Sequence, residues 1–179
     1  MKSASEYHEE FWAFSLERYG RDGVSELCLE LQESCRADVN IILFCLWRGQ
    51  HRHAIDAPTM TALIEGEAGQ WHRDVVLLLR AARKSMKQRT LAGNGEIVES
   101  LRNDIRRVEI ESERLEQFSL AGVLAALPSQ ALASAGDGRS AREISLANTK
   151  HYVEAIAPHE VDTVAALLKS LTEKCVRAR

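Results

Sequence analysis

The sequence of 179 residues predicts an all-α fold, a multi-helix bundle of about eight helices around a central buried helix, with a C-terminal helical hairpin. Three observations predict it. From Asp38 to Trp47 the chain reads D-V-N-I-I-L-F-C-L-W, and from Val39 onward only Asn40 is polar. An element that is apolar on every side has to be surrounded. No other segment alternates apolar and polar residues, and Asn94-Gly95 is flanked by helical patterns, so a strand at 39–47 would have no neighbour to pair its backbone. Elsewhere apolar residues recur at helical spacing.

The first helix spans about Ser5–Tyr19, with Phe11, Trp12, Leu16 and Tyr19 on one broad face. Gly20 ends it, and Asp22 is the expected N-cap of a second helix, Gly23–Cys35, striped by Val24, Leu27, Cys28, Leu31 and Cys35. Asp38 caps the central helix, which ends near Gly49. The stretch 48–58 is a loop with His51 and His53, followed by a short helix from Pro58 to Ile64. A fifth helix, Gln70–Arg89, is expected to bury Trp71, Val75, Leu78, Leu79, Ala82 and Met86, and to present Arg73, Arg80, Arg83, Lys84 and Lys87 as a basic face for a partner. After a loop at 91–95 a long helix runs from Glu96 to Ala126. Its expected seam is Ile97, Leu101, Ile105, Val108 and Leu115, interrupted by Ser112, and its outer face is laced with charge pairs. Pro128 stops it. Residues 129–140 read as a flexible linker rich in Ala, Ser and Gly. The hairpin follows, one helix at about Ser140–Ala157 and another from Pro158. The expected organisation is a main domain at 1–128, the linker, and a hairpin at 141–179 that docks on the main domain or on a second subunit.

Composition excludes several classes. Hydrophobic residues at 45% and charged residues at 27% are ordinary globular usage, which suits a real core. A net charge of -3 and a pI near 6.1 argue against a nucleic-acid binder that works by bulk charge. The N-terminus has no apolar signal core and no apolar run approaches the length of a transmembrane segment, so the expected location is cytoplasmic. Cys28, Cys35, Cys45 and Cys175 form no C-x-x-C pair and read as free thiols. Charge is uneven. Residues 1–34 set eight acids against Lys2, Arg18 and Arg21, whereas 71–89 set six bases against Asp74.

Catalytic motifs are missing. There is no Gly-rich phosphate loop, no G-x-S-x-G, no H-E-x-x-H and no Glu-x-x-His. His51-x-His53 lacks a third ligand nearby, so no metal and no cofactor are expected. The polar exceptions on apolar faces are Asn40, which needs hydrogen-bond partners from neighbouring backbone or the Gln32/Glu33 region, and Asn148 with His151.

The segments F-W-A-F-S-L-E-R-Y (11–19), C-L-E-L-Q-E (28–33), D-V-N-I-I-L-F-C-L-W (38–47) and the E-x-E-R-L-E-Q run (111–117) resemble a family of small proteobacterial proteins of uncharacterised function. The resemblance covers roughly residues 5–120 and extends to the L-A-N-x-x-x-Y pattern at 146–152. It implies an all-helical cytosolic protein whose signature includes Phe11, Trp12, Gln32, Asp38, Asn40 and Trp47, and it implies no activity.

Three functions follow from this reading. The leading one is a non-catalytic interaction protein with a protein partner or a homo-oligomeric state, resting on the opposed charge regions and the seam of the long helix. The alternative is a binding protein or sensor for a small apolar ligand, in a pocket formed by Phe11, Trp12, Asn40, Phe44 and Trp47. The third is an enzyme using Asp38, Glu33 and a histidine.

Overall fold

A computed structural model describes residues 2–126 and 138–177. Every regular element among them is helical. Helix α1 is Ala4–Tyr19, α2 Val24–Cys35, α3 Val39–Gln50 and α4 Ala57–Glu65. Helix α5 is continuous but changes pitch: α-helical at Glu67–Trp71, π-helical at His72–Val76, α-helical again at Leu77–Ser85. Helix α6 is Gly95–Ala126, α7 is Ala141–Ile156, and a 3-10 turn at Pro158–Glu160 leads into α8, Val161–Cys175.

The all-α expectation holds, with α3 at its centre. Residues from Ile41 to Gly49 are all buried. Asp38 caps the helix as its sequence predicts, its side chain accepting from the Asn40 N–H. Helix α7 lies along α3. They approach so closely at Gly49 that an added Cβ would fall 2.4 Å from the Ser145 Cα, which no side chain tolerates. The α7–α3 contact is also sewn by polar bonds: Ser145 Oγ donates to the Leu46 carbonyl, and Asn148 Nδ2 donates to the carbonyls of Cys45 and His53. Asn148 Oδ1 accepts from the Ile55 N–H and His151 Nδ1 lies 3.2 Å from the Ile55 carbonyl, so this pair tethers the loop after α3. Helix α8 packs on α7 and α2. Four thiols are buried and free.

The structure corrects several local expectations. Gly23, with φ 76°, takes the N-cap of α2 where Asp22 was expected, and no side chain caps that end. Helix α5 does not bury the predicted face: Leu78 is 64% exposed, and no residue of Leu77–Ser85 is buried. A π turn adds a residue to one turn of helix and so rotates everything after it. Uniform periodicity across the turn therefore names the wrong side. The seam of α6 is also corrected. Ile97, Leu101, Val108 and Leu115 are exposed, Ile97 by 67%. The buried residues of α6 are Glu109, Ser112, Glu116, Gln117, Leu120, Ala121 and Leu124. Of the expected linker, 129–137 lie outside the described residues, as does Pro128; Gly138 to Ser140 are non-helical, and Ser140 caps α7.

Candidate functional site

The polar residues buried on α6 lead to the site. Helices α3, α5 and α6 meet where α3 begins. Asp38 at its N-cap, His72 in the π turn and Glu116 on α6 come together there, all buried, with Glu116 at 0% exposure. Each is placed by local chemistry. Asp38 is fixed by its cap bond: Oδ1 accepts from the Asn40 N–H at 2.8 Å. Its own N–H donates to the Tyr152 hydroxyl at 2.8 Å, which ties the site to α7. His72 is set by Gly69 one turn earlier, where a Cβ would fall 1.8 Å from the Ile64 carbonyl oxygen. Only glycine lets α5 start this close to the end of α4. Glu116 Oε2 accepts from Asn40 Nδ2 at 3.0 Å, and Asn40 Oδ1 accepts from Gln117 Nε2 at 2.8 Å. Asn40 therefore pairs with Glu116 and Gln117, not with the Gln32/Glu33 region.

His72 Nδ1 lies 3.2 Å from Glu116 Oε2 and 3.1 Å from Asp38 Oδ2. One ring nitrogen carries at most one proton. It makes its hydrogen bond with Glu116, and Asp38 Oδ2 and Glu116 Oε1 are left buried without a partner. Each such orphan costs about 1–3 kcal/mol. Burial, with the neighbouring Asp38 charge and a hydrogen bond to Asp38, pushes the Glu116 carboxyl up to about 11. Glu116 therefore holds a proton at neutral pH and shares it with Asp38. Burial pushes His72 below the usual imidazole range, against the pull of Asp38, with Arg80 and Arg73 adding to the shift. The imidazole is neutral. Burial, with Asp38 beside it, also holds the Tyr152 hydroxyl well above the usual phenol range.

A cleft of about 410 Å³ opens over this centre. Its walls come from Glu33, Cys35 and Arg36 at the end of α2, Ile41 on α3, Ile64 on α4, Arg73 and Leu77 on α5, and Ile156 on α7; Asp38, His72 and Tyr152 line it too. This size suits a small metabolite, with apolar walls and a few convergent polar groups. Arg36 at its rim is held at φ 55°, a strained conformation for a side chain with a Cβ.

The sequence-predicted site residues fall elsewhere, with one exception. Phe11, Phe44 and Trp47 stack on one another with ring centroids 5.3–5.8 Å apart, filling the core between α1 and α3. Trp12 is half-buried on α1 with Arg114 over its ring. None of the four lines the cleft; Asn40 alone belongs to the centre. The basic face is divided. Arg80 Nε donates to Glu109 Oε1 at 3.0 Å and its other nitrogens donate to Gln32 and Glu113, while Arg83 donates to both oxygens of Glu109. Burial opposes ionisation of Glu109, but Arg83 and Arg80 outweigh it and hold the carboxyl below its usual range. Arg73 Nη1 donates to the Ile64 carbonyl, and Lys84 and Lys87 are exposed. Of the enzyme reading, Asp38 lies in the centre and Glu33 in the cleft wall, and the histidine is His72. Sequence reasoning missed His72 and Glu116. The burial of cysteines holds: Cys28 is pushed up to about 12 and Cys175 to about 11 by burial, so neither offers a thiolate.

Among the described residues no helix is long and apolar enough to cross a membrane. Comparison with curated proteins and with solved structures returns no match. A family model described as protein of unknown function (DUF2390) matches residues 10–120, which include Asp38, His72 and Glu116 but not Tyr152. With most of its length matched, the chain belongs to this DUF2390 family.

Proposed function

We propose that the protein works on a small molecule held in the cleft, whose polar end reaches Asp38, His72 and Glu116. The observation that supports this most is the pair of buried carboxyl oxygens left without donors at a cleft floor. A position enclosed by helices is filled most cheaply by apolar side chains, and convergent buried ionisable groups mark functional sites. Neutral His72 and protonated Glu116 give the centre one acceptor and one donor at neutral pH, the two roles proton transfer needs. Arg36 and Arg73 at the walls favour a ligand with a negative group. Native mass spectrometry of protein purified from its own host tests this. The wild type is expected to carry a small-molecule adduct that Glu116→Gln and His72→Gln lose. A wild type without any adduct, and no small molecule displacing probe from the cleft, would contradict it.

A second reading, the interaction protein favoured by sequence, draws on the exposed stripe of Ile97, Leu101, Val108 and Leu115 on α6. Exposed apolar patches on this scale mark protein contacts. A monomer in solution with no co-purifying partner would remove it.

A further inference from the structure

We infer that Asp38, His72 and Glu116 form a binding site for one divalent first-row metal ion, ligated by Asp38 Oδ2, His72 Nδ1 and the Glu116 carboxylate. The inference rests on the cleft reading above, since it names the species that would sit at the cleft floor.

Geometry comes first. The three ligand atoms lie within 4.8 Å of one another, and Nδ1 is 3.1 and 3.2 Å from the two carboxylate oxygens. A metal bound at about 2.0–2.2 Å sets ligand edges of roughly 3.0–3.4 Å, so the ion needs only small adjustment. The second argument is orientation. Each carboxylate is already held through its other side by a protein donor, Asp38 by the Asn40 N–H and Glu116 by Asn40 Nδ2. Ligands fixed from behind in this way are the usual support of a metal site. Third, Asp38 Oδ2 and Glu116 Oε1 are buried orphans, on residues 5% and 0% exposed. An ion serves as the missing partner. Charge balances too: two carboxylates cancel a divalent cation, leaving a neutral buried unit. On binding, Glu116 releases its proton to solvent and the imidazole keeps its proton on Nε2, so that Nδ1 has a free lone pair. Three ligands leave coordination positions open, and His72 and Asp38 also line the cleft.

The donor set narrows the ion. Two carboxylates and one imidazole suit Mn²⁺, Fe²⁺ or Zn²⁺; the absence of thiolate in the set disfavours Cu⁺, and the imidazole disfavours Ca²⁺. The nearest thiol in sequence, Cys35, donates to the Leu31 carbonyl.

The test uses the full chain, stripped with EDTA and titrated by calorimetry with Zn²⁺ and, separately, Mn²⁺. The expected result is one ion per chain. Asp38→Asn, His72→Gln and Glu116→Gln should each weaken binding roughly tenfold or more, while His51→Ala leaves it unchanged. Circular dichroism of each variant confirms that it folds. Loading with Co²⁺ should give visible bands of oxygen and nitrogen ligation without a thiolate charge-transfer band, and Glu116→Gln should abolish them. Absence of stoichiometric uptake of these ions, or uptake unchanged in Glu116→Gln and lost in His51→Ala, would overturn the site. If the stripped protein takes no metal yet keeps its small-molecule adduct, the metal assignment falls and the cleft reading stands.

Discussion

The two halves of α6 treat hydrophobicity in opposite ways. From Gly95 to Val108 its apolar residues face solvent, with Ile97 67% and Leu101 50% exposed. From Glu109 to Ala126 polar residues go inward: Glu109, Ser112, Glu116 and Gln117 are buried beside Leu120, Ala121 and Leu124. The second half is where α3 and α5 bring partners for those groups, Arg80 and Arg83 for Glu109, His72 and Asn40 for Glu116. What decides burial along this helix is the chemistry waiting opposite each turn. The inner half is built around ionisable groups, the outer half is left with an apolar stripe that has no cover within the chain.

This difference can be broken at several points. The largest effect is expected in the inner half. Leu120→Ala, at a fully buried position, should cost about 3 kcal/mol in urea unfolding. Glu109→Ala strips Arg83 and most of Arg80 of their partner, and should cost about 3 kcal/mol, because it leaves charge uncompensated. That cost should shrink in acid. Glu109 has a lowered folded pKa, so its contribution is present above the unfolded carboxylate value and is lost as pH falls through the folded one. Wild-type and Glu109→Ala unfolding curves should therefore converge toward low pH. The smallest effect belongs to the outer half: Leu101→Ser should change stability by less than about 0.5 kcal/mol. A cost of several kcal/mol there, in a protein shown to be monomeric, would mean that the stripe is covered within the chain.

The central helix was legible because nine residues with a single polar member admit few alternatives, and Asp38 as its cap follows from the same stretch. The centre was only half legible. Asp38 and Asn40 are marked by the apolar run around them. His72 is not marked, since its neighbours Trp71 and Arg73 carry no motif and the π turn that aims it leaves no periodic trace. Glu116 sits in a run of charge, E-S-E-R-L-E-Q, that reads as a wet surface. One signal was available. Leu124 and Leu120 lie four residues apart, and continuing backward in steps of four reaches Glu116 and Ser112. Extending the buried stripe through those polar positions would have named Glu116. No spacing rule joins positions 38, 72 and 116, because each arrives on a different helix. The aromatic cluster misled for the opposite reason: Phe11, Phe44 and Trp47 are conspicuous in sequence because they fill the core.

The central claim is that the buried polar centre of the inner half is kept for chemistry and not for stability. Its most direct measurement is the unfolding free energy of chelator-treated Glu116→Gln against wild type at pH 5 and pH 8. Glu116 has a raised folded pKa of about 11, so folding takes up a proton above the unfolded value, and stability declines as pH rises between the two. Glutamine keeps the acceptor for Asn40 and removes that titration. The account expects Glu116→Gln to be more stable than wild type by about 1–3 kcal/mol at pH 8, with the gap narrowing at pH 5. A variant less stable than wild type at both values would contradict it and make Glu116 a structural residue.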